Sequence, residues 1–193
     1  MKKLIALAVT AAFAATPALA ALKVGDTAPD FTAQGSLGGK PFSFNLKTAL
    51  KKGPVVVYFY PSAYTGGCDL EAHTFAEESG KFAAAGAQIL GVSADNLDRL
   101  KVFSADPNFC AGKFPIASDA DTRIAQSYDL SVGAAKAGAK DVRGEEIGHA
   151  FIERVTYVIG KDGKIQAALS SKTDGLSPDQ HVEKSLAIVA SAK

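Results

Sequence analysis

Cysteine is scarce in this 193-residue chain: there are two, Cys68 and Cys110, and they form no CxxC pair. Histidine is hardly commoner, with three. Cys68 and His73 are close in sequence, but two residues do not make a zinc site and no further Cys or His cluster exists, so no resident metal is expected. Phosphate loops, nucleotide fingerprints and haem-attachment motifs are absent as well, and no cofactor is expected. There is no basic stripe and no long run of one charge sign, which argues against nucleic acid as a partner. Past the first residues no segment is apolar enough to span a bilayer. No repeat appears, and nothing divides the chain into two domains.

What the chain does have begins at Met1-Lys2-Lys3. A small and apolar run from Leu4 to Ala15 follows, then Pro17 and the triplet Ala18-Leu19-Ala20. This reads as a secretory signal peptide over residues 1–20, cleaved after Ala20. The run is well short of the roughly 20 residues a membrane-spanning helix needs. Residues 21–193 are then one domain, periplasmic or secreted, with no membrane contact once the leader is gone. Without Lys2 and Lys3 the 21 basic residues fall to 19 against 20 acidic ones, a formal charge of −1. A domain of that size builds a core without disulfide staples. An oxidising compartment nevertheless lets disulfides persist. A static Cys68–Cys110 bridge would stabilise the fold by ~4 kcal/mol in the chain-entropy picture.

Hydrophobic patterning sketches the fold. Two short runs meet at Gly38-Gly39, the second alternating through Phe42, Phe44 and Leu46, and predict an N-terminal β-hairpin. Val55 to Tyr60 is unbroken β-branched and aromatic sequence, expected as a central strand buried on both faces. Gly66 to about Ala85 reads as a helix with Leu70, Phe75 and Phe82 inward, and Gln88 to Ser93 as a second buried strand. A short helix is expected over 96–105 with Leu97, Leu100 and Phe103 on one face, a strand over 114–117 and a helix over 121–128. The segment 131–148 reads as a surface excursion. Runs 155–159 and 165–169 flank Lys161-Asp162-Gly163, a hairpin signal. The last helix starts at Ser177, with Pro178 at its first position, Gln180 completing a capping box and Val182, Leu186 and Val189 inward. The sum is an α/β domain in three layers, a mixed central sheet flanked by helices. His149 and His181 are expected at the surface, and the Tyr58-Phe59-Tyr60 cluster in the sheet core, with Tyr60 bordering the site.

Cys68 follows the central strand and opens a helix. Free backbone N–H groups and the positive end of the helix dipole favour negative charge there, and thiolate is the nucleophilic form of cysteine. The chain resembles the peroxiredoxins of the thioredoxin-like superfamily over nearly the whole of residues 21–193. The resemblance rests on Val24-Gly25-Asp26-Thr27-Ala28-Pro29-Asp30-Phe31, on Tyr58-Phe59-Tyr60-Pro61, on the PxxxTxxC signature at Pro61, Thr65 and Cys68, on Glu71, and on Arg154-Val155-Thr156-Tyr157. Among subtypes it is most similar to the monomer-prone group related to the bacterioferritin comigratory protein.

The resemblance implies a thioredoxin-like sandwich and a thiol peroxidase in which Cys68 attacks a hydroperoxide and becomes a sulfenic acid. It also implies a thiol reductant, protein or small molecule, and a monomer or weak dimer. An ordinary thiol, pKa about 8.5, is only a few per cent ionised at neutral pH, so full ionisation gains at most about thirtyfold. Fast reduction must come mainly from activating the peroxide. Lowering the thiol pKa by about 2.5 units needs ~3.4 kcal/mol, whereas a helix terminus typically supplies about 0.3–1. A cation is required, and the resemblance nominates Arg154. It implies that Thr65 turns its hydroxyl to the peroxide, that Pro61 shields the sulfur, and that Glu71 steers Arg154. Each has a plainer rival: a helix cap, a strand terminator, a solvated side chain and a first-turn acid. In the related group a resolving cysteine often stands five residues after the first, but here that position is His73. Cys110 instead resembles the arrangement in which a distant cysteine of the same chain forms the disulfide. A thiol–disulfide oxidoreductase, and a binding module stapled by a structural bridge, stay open as alternatives.

Overall fold

The computed structural model describes residues 21–192; the expected leader lies outside them. Strands β1 (Thr32–Leu37) and β2 (Lys40–Asn45) form the antiparallel N-terminal hairpin. It turns on Gly38 and Gly39, at φ of 56° and 79°, a left-handed conformation that costs glycine little and a β-carbon much. Asn45 then caps the short helix α1 (Leu46–Leu50), its side-chain oxygen accepting from Thr48 N at 2.8 Å.

The chain next enters β3 (Val55–Phe59), every residue of which is buried. Helix α2 (Gly66–Ala84) leads to β4 (Gln88–Ser93), and α3 (Leu97–Ala105) to β5 (Ile116–Ser118). After α4 (Arg123–Ser127), a two-stranded patch pairs β6 (Val132–Gly133) with β7 (Phe151–Ile152). Strands β8 (Val155–Ile159) and β9 (Ile165–Ser170) form the second hairpin, and α5 (Pro178–Ser191) packs against α2. The main sheet has seven strands in the order β2-β1-β5-β4-β3-β8-β9. It is mixed, with β3 parallel to β4 and antiparallel to β8.

Period-two alternation in β3 divides the core. Val55, Val57 and Phe59 face a cluster with α1 and α4, while Val56 and Tyr58 face the aromatic side, with Phe75 and Phe82 of α2, Leu100 and Phe103 of α3, and Val182 and Val189 of α5. At about 1.5–3 kcal/mol for each fully buried large side chain, β3 alone anchors both layers.

Several expectations change. Leu70 is 47% exposed, because the inward stripe of α2 runs through Cys68, Glu71, Ala72 and Phe75 at helical spacing and Leu70 falls opposite. Leu97 is 46% exposed on the open first turn of α3, with Leu100 and Phe103 inward. Leu186 is half-buried. The strand expected over 114–117 lies at Ile116–Ser118, and the helix expected over 121–128 shortens to Arg123–Ser127. His181 is not at the surface but fully buried, and His149 is largely covered. The excursion 131–148 is pinned rather than loose: it contains buried Asp141 and Ile147 and an isolated Lys140–Glu146 bridge. Among the described residues no helix is long and apolar enough to cross a membrane.

Candidate active site

Strand β3 delivers the chain to Pro61, with Tyr60 N still donating to Val92 O at 3.1 Å. Ser62, Ala63 and Tyr64 then turn inward and are buried. Tyr64 has φ of 59°, an uncommon conformation for an aromatic residue that the surroundings must hold. Val142 N donates to Tyr64 O at 2.9 Å, and the Arg143 guanidinium lies 3.4 Å from the centroid of the Tyr64 ring. Thr65 is the N-cap of α2, yet its hydroxyl makes no cap bond. It donates instead to Ser62 O at 2.8 Å and lies within hydrogen-bonding reach of Cys68.

Cys68 is 2% exposed. Its Sγ accepts from Arg154 Nη2 at 3.1 Å. The register explains this meeting: Phe59 pairs with Val155, so Arg154 projects just beyond the end of β3, beside the turn that leads to the cysteine. Arg154 is only 10% exposed and is therefore no solvated side chain; its other nitrogen, Nη1, binds Glu71 Oε2. Glu71 stands one helical turn after Cys68 and is fully buried, so both face the same guanidinium. Gly67 matters here, since a β-carbon on it would lie 3.3 Å from Arg154 Nη2.

The electrostatics differ from the simple expectation of an easily formed thiolate. Burial pushes the Cys68 thiol up; Arg154, the Thr65 hydroxyl and a backbone bond at Ser62 pull it down, Glu71 pushes it up again, and the net direction is up. Burial also drives Glu71 to about 7 against the pull of Arg154. One cation thus serves two buried acids. Replacing the carboxylate should release the guanidinium to the sulfur: Glu71→Gln is expected to shift iodoacetamide alkylation of Cys68, followed by mass, to lower pH. An unmoved midpoint would mean that Glu71 carries no charge beside the sulfur.

Pro61 is partly covered at the start of the turn. Cys110 is fully buried in the same core cluster as Cys68, and the two stand as free thiols in this structure. Burial pushes the Cys110 thiol far up, with Asp106 and Asp69 adding to it. Tyr60 is 1% exposed with its ring stacked on Tyr58. His73 is exposed on α2 and pairs with Glu77. Among the described residues no group of three His, Cys, Asp or Glu is placed to hold a metal.

Sequence reasoning missed the polar group behind the turn. Parallel β3 and β4 pair Phe59 with Val92, so residues three further along each strand, Ser62 and Asp95, come side by side. Asp95 has no exposure, and Asp95, Arg99 and Asp141 form a buried chain of ion pairs at 2.8 and 2.7 Å. The available signal was Asp95 at the carboxyl end of a buried parallel strand, where sites gather in α/β sheets. His181 was also missed. Its Nδ1 lies 3.0 Å from Thr156 Oγ1 and its Nε2 2.9 Å from Ser171 Oγ. Burial and the nearby Arg154 lower it to about 4, leaving the ring neutral.

A buried cysteine at a helix start, touched by an arginine that immediately precedes a neighbouring antiparallel strand of a thioredoxin-type sheet, is the arrangement of a thiol peroxidase. The chain belongs to the AhpC/TSA family, whose model matches residues 24–168, and is a peroxiredoxin. Within that family it falls in the subgroup of the bacterioferritin comigratory protein. A Mycobacterium tuberculosis protein that carries the peroxiredoxin name by assignment is 31% identical over 167 residues, 86% of this chain and 95% of its own. Chloroplastic peroxiredoxin Q of Sedum lineare is 30% identical, over 88% of this chain and 78% of its own. Among solved structures, peroxidoxin BcpB from Mycobacterium tuberculosis superposes with a TM-score of 0.69 at 28% identity, covering 89% of this chain and 99% of that one. The Xanthomonas campestris bacterioferritin comigratory protein, studied for alkyl peroxide reduction, gives 0.62 at 28% identity, over 83% and 92% of the two chains.

Proposed function

We propose that this peroxidase uses Cys68 as its nucleophile and Cys110 of the same chain to resolve the product. The Cys68 thiolate attacks the terminal oxygen of a hydroperoxide; the O–O bond breaks, the sulfur becomes a sulfenic acid, and the leaving alkoxide or hydroxide takes up a proton. Cys110 then displaces water from that sulfenic acid to give the disulfide, and two thiols of an external reductant restore both cysteines. Arg154 holds the thiolate and the charge developing on the peroxide oxygens, Thr65 supplies a hydroxyl to the substrate, and Pro61 screens the sulfur. The observation that carries this reading is the 3.1 Å bond from Arg154 Nη2 to Cys68 Sγ at the first turn of α2. Organic hydroperoxides join hydrogen peroxide as substrates, a reading supported by the alkyl peroxide reduction ascribed to the Xanthomonas campestris relative.

The buried state of both thiols means that resolution requires the first turn of α2 and the segment 106–112 to open, bringing the Cα atoms within about 7 Å. Ala111 and Gly112 at positive φ, 49° and 67°, give that segment a kinked backbone suited to such opening. The leader sequence supports a periplasmic or secreted protein with residues 21–193 as the working domain, active as a monomer or weak dimer.

The test is mass analysis after one equivalent of hydrogen peroxide. Wild type is expected to lose two hydrogens and to give a Cys68–Cys110 peptide on digestion. Cys110→Ser is expected to stop at a sulfenic acid that dimedone traps at Cys68. A disulfide between two chains, or no dimedone adduct in Cys110→Ser, would overturn the internal resolving role.

A further inference from the structure

Behind the turn that carries Pro61 to Thr65 lies a carboxylate with an unusual number of partners. Asp95 Oδ2 accepts from Ala63 N at 2.8 Å and from Ser93 Oγ at 2.7 Å. Its Oδ1 accepts from Ser62 Oγ at 3.2 Å, pairs with Arg99 Nε at 2.8 Å and meets His149 Nε2 at 2.8 Å. Arg99 Nη2 in turn donates to Ala63 O at 2.9 Å and to Asp141 Oδ2 at 2.7 Å. Both backbone polar groups of Ala63 are therefore held by one ion pair, five residues before the sulfur.

The His149 ring completes this clamp in a particular protonation state. Its Nε2 faces the Asp95 carboxylate and its Nδ1 faces the Ala150 carbonyl, each at 2.8 Å. Both neighbours are acceptors, while a neutral imidazole carries one N–H and the imidazolium two. A neutral ring would set a lone pair against a lone pair at one of these contacts. Ser62, Asp95 and His149 do not form a hydrolytic relay, because Ser62 Oγ, at 3.2 Å, approaches the same Nε2 that Asp95 uses, and Ser62 has no exposure.

The geometry points to His149, as an imidazolium, being a positioning residue for the peroxidase reaction: through Asp95 it holds the Ser62–Tyr64 turn so that Cys68 keeps its place against Arg154. The inference rests on Cys68 being the nucleophile. The groups facing His149 are Asp95 and Arg99 from the β4–α3 side and Arg143, Glu145 and Glu146 across an open cavity of about 610 Å³. Burial and Arg99 lower its pKa, but the Asp95 carboxylate and Ala150 carbonyl outweigh them and raise it. The sign follows. A group whose folded pKa is raised gives its full stabilisation below the ordinary histidine value, near 6.5, and loses it as pH climbs through the higher folded value. Cys68 ionises as pH rises, so reactivity climbs with pH and then falls when His149 releases its proton.

The experiment compares reduced wild type and His149→Gln by stopped-flow reaction with hydrogen peroxide and by thermal melting, both across pH. Wild type is expected to show an alkaline fall in rate and in melting temperature. In His149→Gln the rate near neutral pH should drop about tenfold or more, the order expected of a displaced reacting group, and the alkaline fall should vanish. Independently of how the variant folds, imidazole NMR titration of wild type should place one ring above the ordinary value, at the pH of the rate fall. His73→Gln removes the exposed ring from that spectrum, and His181 titrates separately near 4. An unchanged profile in His149→Gln, or no ring titrating above the ordinary value in the His73→Gln protein, overturns the inference. If the Cys68→Ser protein is inert while His149→Gln matches wild type, this inference alone fails; if Cys68→Ser turns over, the nucleophile assignment fails first.

Discussion

Cys68→Ser is expected to consume no hydrogen peroxide above the uncatalysed background with dithiothreitol as reductant, while keeping its fold. The substitution exchanges one atom in a site that is 2% exposed, and the hydroxyl still meets Arg154. What disappears is the proposed nucleophile. A serine hydroxyl does not ionise at neutral pH beside one guanidinium, and oxygen is a poor nucleophile toward an O–O bond. Turnover should therefore fall by every decade the assay can read, with a small change in melting temperature. A binding module would be inactive before and after the change. An oxidoreductase would reduce a model disulfide without peroxide. Residual peroxide turnover in Cys68→Ser would move the chemistry to another residue.

Arg154→Ala is the second large effect. Among the described residues the guanidinium is the one cation bonded to the sulfur, and its planar fork joins Cys68 Sγ and Glu71 Oε2 at once. Removing it lets the thiol rise further under burial and, in the proposed mechanism, strips the developing peroxide charge of its donor. Losing one such donor typically costs on the order of 10²–10³ in rate. Arg154→Lys should recover little, because an ammonium is a single point and cannot span both partners. Breaking a buried ion pair ordinarily costs about 3–5 kcal/mol, but Glu71, already near 7, can take up a proton and stay neutral. The rate should thus fall far more than the stability. Stopped-flow rates together with denaturant melts check both halves; a stability loss with an intact rate would make Arg154 structural.

The legible parts of this fold were those with a single local cause. Val55–Phe59 reads as a buried strand because every residue is apolar, and the Ser177-Pro178-Gln180 cap fixes where α5 starts. Cys68, Thr65 and Arg154 were legible because their pattern resembles a family's signature, whereas their plainer readings were each as good in isolation. The missed residues depend on register between distant strands. Asp95 reaches Ala63 because β3 and β4 run parallel with Phe59 against Val92, and no sequence window contains both. His149 sits in a segment whose small and polar composition resembles solvated loop, although buried Asp141 and Ile147 tie that segment down. The sulfur's upward shift was missed for a similar reason: burial depth is a tertiary quantity, and a helix start alone suggests the opposite sign.

The N-terminal hairpin has a consequence for how copies of this chain meet one another. It ends the sheet with β2, whose first residues are Lys40 and Pro41, both exposed. A proline offers no amide hydrogen to an incoming strand, and a charged neighbour resists dehydration. A second molecule trying to zip its own backbone onto this rim finds its first rung missing, which keeps crowded molecules from stacking edge to edge.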